Sequence, residues 1–140
     1  MDEAIGTNQV PLSFWVVAAL GLAWNAFACL AYWLAATHDP ATFAQTAPEM
    51  VRALERTPVW AFGFWGLAVG AALAGSVLMM LRSKWAVRAF VASLAGLLVL
   101  TGYQLASDMP MSALQVLSIW LIALFLWRFS SSEAAKGLLR

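Results

Sequence analysis

Four long apolar runs constrain this chain more than any other feature. They cover about residues 14–36, 59–81, 85–106 and 111–129, and only Arg88 and Arg128, each near the end of a run, carry charge inside them. A helix needs about 20 apolar residues to cross the hydrocarbon core of a bilayer. We therefore predict an all-α membrane protein, a four-transmembrane-helix bundle.

Composition excludes the soluble alternative. Hydrophobic residues make up 63% of the 140 residues and charged residues 11%, against about 45–50% and about 25% in typical soluble domains. The first run is longer than the apolar region of a signal peptide, and the residues before it include Asp2 and Glu3 rather than a basic cluster. We expect a single transmembrane domain over residues 1–140.

Charge asymmetry predicts the orientation. Four spans place the N-terminus, the turn after the second span and a tail over 130–140 on the same side. That side carries most of the cations, whereas the other side has only two. The positive-inside rule therefore predicts that both termini are cytoplasmic. The cations on the terminal side are Arg82, Lys84, Arg88, Arg128, Lys136 and Arg140, and those opposite are Arg52 and Arg56.

The loop over 37–58 is the one long connection, and it carries helix signals. Asp39 precedes a proline, as an N-cap residue often does. Thr46 and Glu49 have the spacing of a capping box. Apolar and charged residues after position 46 fall on different helical faces. We predict one or two short amphipathic helices on the outer surface, either covering the spans or forming a lid over an outward-facing cavity.

Small residues in the second span predict close helix packing. Gly63, Gly66, Gly70 and Ala74 recur every three or four positions, and such stripes let membrane helices approach closely. In the third span, Gly96 stands among other small residues. We predict that these faces meet, so that the second and third spans pack against each other.

Asn25 is an amide near the middle of the first span. An unpaired amide is costly there, so we expect it to point into the bundle and bond to another helix. The candidate partners are Ser76, Ser93 and a backbone carbonyl. A ligand contact in a cavity and an oligomer contact remain alternatives.

Aromatic residues concentrate toward the outer ends of the spans. Trp33, Trp60, Trp65 and Tyr103 are among them. Such residues commonly form a belt at the membrane interface. Their density also leaves open an aromatic pocket that faces the outside.

Catalytic chemistry is not expected. No span contains Asp, Glu, Lys or His, and the sequence has no nucleophile–histidine set, phosphate-binding loop or basic nucleic-acid patch. His38, the only histidine, and Cys29, the only cysteine, do not make a metal site. We expect no enzyme activity, catalytic residue, metal, cofactor or nucleic-acid partner.

Several segments of the chain resemble a widespread family of small four-span bacterial inner-membrane proteins. The matching segments include "WN" in the first span, "SLAGLL" in the third and a tail ending "KGLLR". Members are often labelled sugar transporters, but the family has no established activity. The resemblance implies the same fold and a bacterial inner-membrane location. It is carried by Trp24, Asn25, Thr57, Pro58, Trp60, Gly70, Gly75, Trp85, Ala86 and Ser93.

Three functions remain open at this stage. The first is an accessory or self-assembling subunit surrounded by membrane lipids, in a homo-oligomer or a larger membrane complex. The second is facilitated transport of a small neutral solute, such as a sugar, by a homo-oligomer. The third is lipid or quinone binding between the helices. Uncharged polar residues that would serve transport are Asn25, Ser76, Ser93, Thr101, Gln104, Gln115 and Ser118.

Overall fold

A computed structural model describes residues 10–140, which form six helices. The two acidic residues of the N-terminal leader lie outside this part. Four helices are long and apolar enough to cross a membrane, so the predicted four-helix transmembrane bundle is confirmed. They are α1 (Leu12–Ala36), α4 (Val59–Met80), α5 (Trp85–Ala106) and α6 (Ala113–Ala135), with α2 (Pro40–Gln45) and α3 (Pro48–Arg56) between the first two.

The bundle has two distinct ends. We call the end where α1 begins and α6 finishes the terminal end, and the end that carries α2 and α3 the loop end. The α4–α5 contact is the most extensive in the bundle, and α1 packs on α4 while α6 packs on α5. No comparably extensive contact joins α1 to α6. The four long helices therefore form a curved row whose two outer members do not close along their full length.

Helix α6 extends six residues beyond the predicted span, from position 129 to Ala135. Ser130 continues the helix, and its hydroxyl donates to the carbonyl of Trp127 at 2.9 Å. Hydropathy marks where a helix stops being apolar, whereas backbone hydrogen bonding continues until a residue ends it. The terminal part of α6 is a polar extension of the membrane helix.

A glycine turn ends α6. Gly137 has φ +80°, a conformation that favours glycine. The N–H of Leu138 donates to the carbonyl of Glu133 at 3.0 Å, and the N–H of Gly137 donates to Ala134 at 3.1 Å. These are the two hydrogen bonds of a Schellman cap, and they reverse the chain direction after the helix.

The predicted cytoplasmic tail is packed against the bundle rather than free. Leu139 is only 2% exposed and belongs to the core at the terminal end. The N–H of Arg140 donates to the carbonyl of Arg82 at 2.7 Å, and the N–H of Lys84 donates to Arg140 at 2.8 Å. The last residues thus pair with the turn between α4 and α5.

Two helices form in the predicted loop, and one of the two predicted caps is present. The Asp39 carboxylate accepts hydrogen bonds from the N–H and the hydroxyl of Thr42, at 2.9 and 2.8 Å. The capping-box prediction is wrong, because Ala47 is the N-cap of α3. The Thr46 hydroxyl instead donates to the carbonyl of Thr42 at 2.8 Å. The proline at position 48 begins α3 one residue too late for Thr46 to cap it.

The core lies at the terminal end. Phe14 stacks on Phe129 with ring centroids 6.1 Å apart, and this contact helps to hold α1 beside α6. A Cβ built on Gly21 would lie 2.9 Å from a methyl carbon of Leu126, so α1 and α6 approach closely at this level. The buried core residues are Phe14, Ala18, Met79, Ala86, Phe90, Leu126 and Leu139.

The predicted glycine stripe does not meet α5 as a unit. Gly63 and Gly70 have no atom within 4 Å of a built Cβ, and Ala74 is exposed. Gly66 instead faces the Tyr32 ring of α1. Gly96 makes the close approach, because its Cβ would lie 3.1 Å from the Ala68 nitrogen and the Phe64 oxygen of α4. Helices α4 and α5 do pack together, but over a different face of α4.

Candidate ligand cavity

A cavity of about 570 Å³ lies between the four long helices. Its volume falls within the range of about 300–1,000 Å³ for small-molecule sites. Met50 and Leu54 of α3 line it from the loop end, while Phe90 and Leu126 of the core line it from below. Helix α3, one of the two helices in the loop, therefore reaches over a space inside the bundle.

Among residues 10–140, which the structure describes, no charged side chain lines the cavity. None of its lining residues is Asp, Glu, Lys, Arg or His. Most are aliphatic or aromatic, and the polar ones are amides, hydroxyls and indoles. Such a wall favours a neutral ligand, because an ion would lose its hydration without gaining an opposite charge. The side chains with polar groups are Asn25, Thr46, Thr57, Trp65, Ser93, Thr101, Tyr103, Gln104, Gln115, Ser118 and Trp120, together with Trp24.

The cavity is open along the seam between α1 and α6. Phe27 of α1 lines it and is nevertheless 70% exposed. Ala31 of α1 and Gln115 of α6 are likewise both lining and exposed. These residues lie toward the loop end, beyond the level at which Gly21 meets Leu126. A molecule dissolved in the bilayer therefore has a lateral route into the bundle.

Asn25 lies at the deep end of the cavity and joins α1 to α4. Its side-chain nitrogen donates to the Ser76 hydroxyl at 2.7 Å and to the Ala72 carbonyl at 3.3 Å. Asn25 is 5% exposed and Ser76 is fully buried. Of the three predicted partners of Asn25, the structure thus shows two, Ser76 and a backbone carbonyl, but not Ser93.

The hydrogen bonds fix the direction of the amide. A carbonyl oxygen can only accept, so the group facing Ala72 has to be the NH₂ of Asn25 rather than its oxygen. Both amide hydrogens are then used. The amide oxygen accepts no hydrogen bond from residues 10–140. Because no fully buried side-chain oxygen in that range is unpaired, this oxygen must reach open space, and Asn25 lines the cavity.

Ser93 makes a separate contact. Its hydroxyl donates to the Ala68 carbonyl at 2.6 Å, which links α5 to α4. On α1, the Cys29 thiol donates to the Val69 carbonyl at 3.3 Å, one turn from Asn25. Side chains of α1 and α5 therefore hold α4 by bonding to its carbonyls, as expected where interhelical hydrogen bonds contribute to association.

Near the loop end, one polar bridge joins α5 to α6. The indole N–H of Trp120 donates to the Thr101 hydroxyl oxygen at 3.0 Å, and both residues line the cavity. The sequence analysis named Thr101 but missed Trp120. The available signal was an indole N–H within an apolar span, which needs an acceptor when buried.

The four aromatic residues of the predicted outer pocket do not form one site. Trp65 and Tyr103 line the cavity, whereas Trp33 and Trp60 do not. Trp60 packs edge-on against Tyr103 at 5.3 Å and is 53% exposed, and Trp33 is 63% exposed. A belt position fits Trp33 and Trp60, and a pocket position fits the other two.

No metal centre is visible in the part of the chain that the structure describes. Within residues 10–140, no three His, Cys, Asp or Glu side chains cluster in a way that could hold an ion. His38 lies exposed at the end of α1, with its ring 5.4 Å from that of Phe43.

Comparison with protein-family models, with curated proteins and with solved structures finds no match.

Proposed function

We propose that this membrane protein binds a neutral amphiphile, a lipid or a quinone, between its helices. The observation that carries the proposal is the cavity of about 570 Å³, which no charged side chain of the described residues 10–140 lines. A ligand with an apolar body and one uncharged polar group matches such a wall. No chemical step is assigned to the protein.

The lateral opening supports a ligand that arrives from the bilayer. Phe27 and Ala31 line the cavity from α1 and are exposed at the seam with α6. At the loop end, Met50 and Leu54 of α3 line the cavity, so a hydrophilic solute entering there would contact apolar side chains. A molecule that already partitions into lipid does not have to enter there.

We further propose that the protein lies in a bacterial inner membrane with both termini in the cytoplasm. The support is the excess of Lys and Arg at the terminal end. In this orientation the cavity occupies the outer half of the bilayer, and α2 and α3 lie on the outer surface.

Facilitated transport of a sugar receives less support. The core around Phe14, Met79 and Leu126 fills the terminal end below the cavity. A solute could cross only if this packed layer separated. Such packing resists small displacements because side chains interdigitate at high density.

An accessory role within a larger membrane complex or homo-oligomer is a second candidate. The observation that favours it is the outward face of α6, the long helix with the least burial. A partner helix could pack there in place of lipid. The exposed apolar residues of this face are Leu114, Leu117, Leu121, Leu124 and Phe125.

The proposal can be tested by native mass spectrometry of the protein extracted from its native membrane in a mild detergent. We expect one small neutral molecule bound per chain. Ala123→Phe should remove it, because Ala123 lines the cavity. Leu124→Phe is the matched control, since Leu124 is 42% exposed and absent from the lining.

Three results would count against the proposal. An empty wild-type protein would contradict it directly. Equal retention of the molecule by Ala123→Phe and Leu124→Phe would place binding elsewhere. A stoichiometric second protein with no small molecule would favour the accessory role instead.

A further inference from the structure

Among residues 10–140, no group donates a hydrogen bond to the side-chain oxygen of Asn25 at the deep end of the cavity. Two strongly buried polar side chains line the cavity, Asn25 and Ser93. The Ser93 hydroxyl is committed to the Ala68 carbonyl. The Asn25 oxygen accepts nothing from residues 10–140, although the residue as a whole is only 5% exposed. An acceptor that faces an apolar space without a partner is unfavourable by about 1–3 kcal/mol, so a ligand that donates to it gains affinity.

The bonding of this amide determines which ligand groups fit. Both N–H groups of Asn25 already donate to α4, at Ala72 and Ser76. The ligand therefore meets an acceptor and must supply a donor. A quinone or ester carbonyl is itself an acceptor and cannot do so. An ammonium group could donate, but no carboxylate among the described residues that line the cavity would balance its charge.

Depth restricts the ligand further. The bonding partners of Asn25, Ala72 and Ser76, flank Gly75 in the sequence of α4, and Gly75 packs against the Phe90 ring. Asn25 therefore lies at about the level of Phe90. Phe90 and Thr101 are eleven positions apart on α5, which is ~16 Å along the helix. A ligand bonded to Asn25 therefore has a long, mostly apolar space above its polar group and the open seam beside it.

We infer that the cavity selects a neutral, bilayer-soluble molecule with a hydroxyl donor, and that this hydroxyl donates to the Asn25 oxygen. The inference rests on the proposed function and narrows its ligand class. The hydroxyl could belong to a reduced quinol or to a glyceride alcohol such as diacylglycerol. Both place one O–H group on a large apolar body.

Two matched ligand pairs test the inference. The first is a long-chain quinol, kept reduced, against its oxidised quinone. The second is a diacylglycerol against its methyl ether, which lacks only the O–H donor. Binding is measured on the full chain in nanodiscs. We expect the hydroxyl form of at least one pair to bind about tenfold more tightly, which corresponds to ~1.4 kcal/mol. The pair that shows the preference identifies the source.

The outcomes separate the two proposals. In one outcome, each hydroxyl ligand and its partner without the hydroxyl bind equally well, and Ala123→Phe abolishes the binding of both. That outcome would overturn the hydroxyl inference and leave cavity binding intact. Absence of binding in all four cases, or binding unaffected by Ala123→Phe, would overturn both. A preference that disappears in Asn25→Leu, with Leu124→Phe unchanged, would support both.

Because Asn25→Leu also removes an interhelical bond, a measurement on the unaltered site is needed. Asn8 is the only other asparagine. In Asn8→Ser, asparagine labelled with ¹³C at the side-chain carbonyl therefore isolates the amide carbonyl of Asn25 in infrared spectra. We expect its stretching frequency to fall when the hydroxyl ligand binds. An unchanged frequency at saturating quinol and diacylglycerol would overturn the inference without any change at Asn25.

Discussion

At the terminal end of the bundle, Phe14, Met79 and Leu126 are at most 3% exposed, whereas toward the loop end the same four helices surround a cavity of about 570 Å³. Both regions consist largely of aliphatic and aromatic residues. In lipid, moving an apolar side chain from the acyl chains into the bundle gains little, and packing contacts and hydrogen bonds contribute more. Apolar composition alone therefore does not close a membrane bundle.

The difference lies in how α6 meets α1. At the terminal end, Gly21 admits Leu126, and Phe14 stacks on Phe129. Toward the loop end, α6 is tied to α5 by the Trp120–Thr101 hydrogen bond, and no extensive contact with α1 is present. The terminal end is therefore closely packed, and the loop end contains the cavity.

Truncating one side chain at each end should give the largest difference in the free energy of unfolding. Met79→Ala should lower the free energy of unfolding by about 2 kcal/mol or more, because it leaves a void in a packed core. Ile119→Ala, at the cavity wall, should cost less than about 1 kcal/mol, because fewer packing contacts are lost there. Denaturant unfolding in a mild detergent, followed by circular dichroism, measures both. Equal losses would remove the distinction between the two ends.

Two glycine substitutions test which face of α4 packs against α5. Gly96→Leu should lower the free energy of unfolding by about 1–3 kcal/mol, since its Cβ would meet the backbone of Ala68 and Phe64 at 3.1 Å. Gly63→Leu should be neutral or slightly stabilising, because that position is open and leucine favours helix. The same unfolding assay reports both. Greater damage from Gly63→Leu would restore the original stripe hypothesis.

Asn25 tests the polar link between α1 and α4. Asn25→Leu should lower stability by about 0.6–2 kcal/mol, because it removes the bonds to Ser76 and Ala72. Ser118→Ala is the control, since that hydroxyl bonds only to the Leu114 carbonyl of its own helix at 2.7 Å. Thermal melting in detergent compares the two. A melting temperature that Asn25→Leu leaves unchanged would argue against the link.

The smallest expected effect concerns the cover at the loop end. The hydroxyl of Thr42, and then its backbone N–H, lower the pKa of Asp39 below its ordinary value. The contribution of this cap is therefore fully present above the ordinary carboxyl pKa of about 3.9, and it is lost as pH falls through the lowered pKa. A carboxyl titration by NMR should show the lowered midpoint.

Asp39→Asn separates the titration from the cap itself. The amide can still accept from the Thr42 N–H but does not ionise, so acid-induced fraying of α2 should disappear in this variant. Fraying is read from the Thr42 amide shift. An identical pH response in both proteins would assign the change to another group.

The sequence predicted where the membrane helices lie better than how they face one another. Runs of apolar residues locate α1, α4 and α5 because the hydrocarbon core has a fixed thickness. Lipid and bundle interior are similarly apolar, so hydropathy does not tell which side of a helix is buried. For that reason Gly63 and Gly70 were predicted to lie in a helix–helix interface, although both are exposed.

Polar residues within the spans were the more informative signals. Asn25 pointed inward as expected, since an amide in hydrocarbon needs a partner, but the choice of Ser76 depends on how α1 and α4 align. The packing of Leu139 against the core could not be read from its position in the chain, because it follows from the turn at Gly137.

We propose above that a neutral amphiphile occupies the cavity between the four long helices. Photo-crosslinking with a diazirine-bearing long-chain alcohol, mapped by mass spectrometry, tests it most directly. The account predicts labelling of Ile119 and Ala123, which line the cavity, and competition by unlabelled alcohol. Labelling confined to the outward-facing Leu121 and Phe125, without competition, would contradict it.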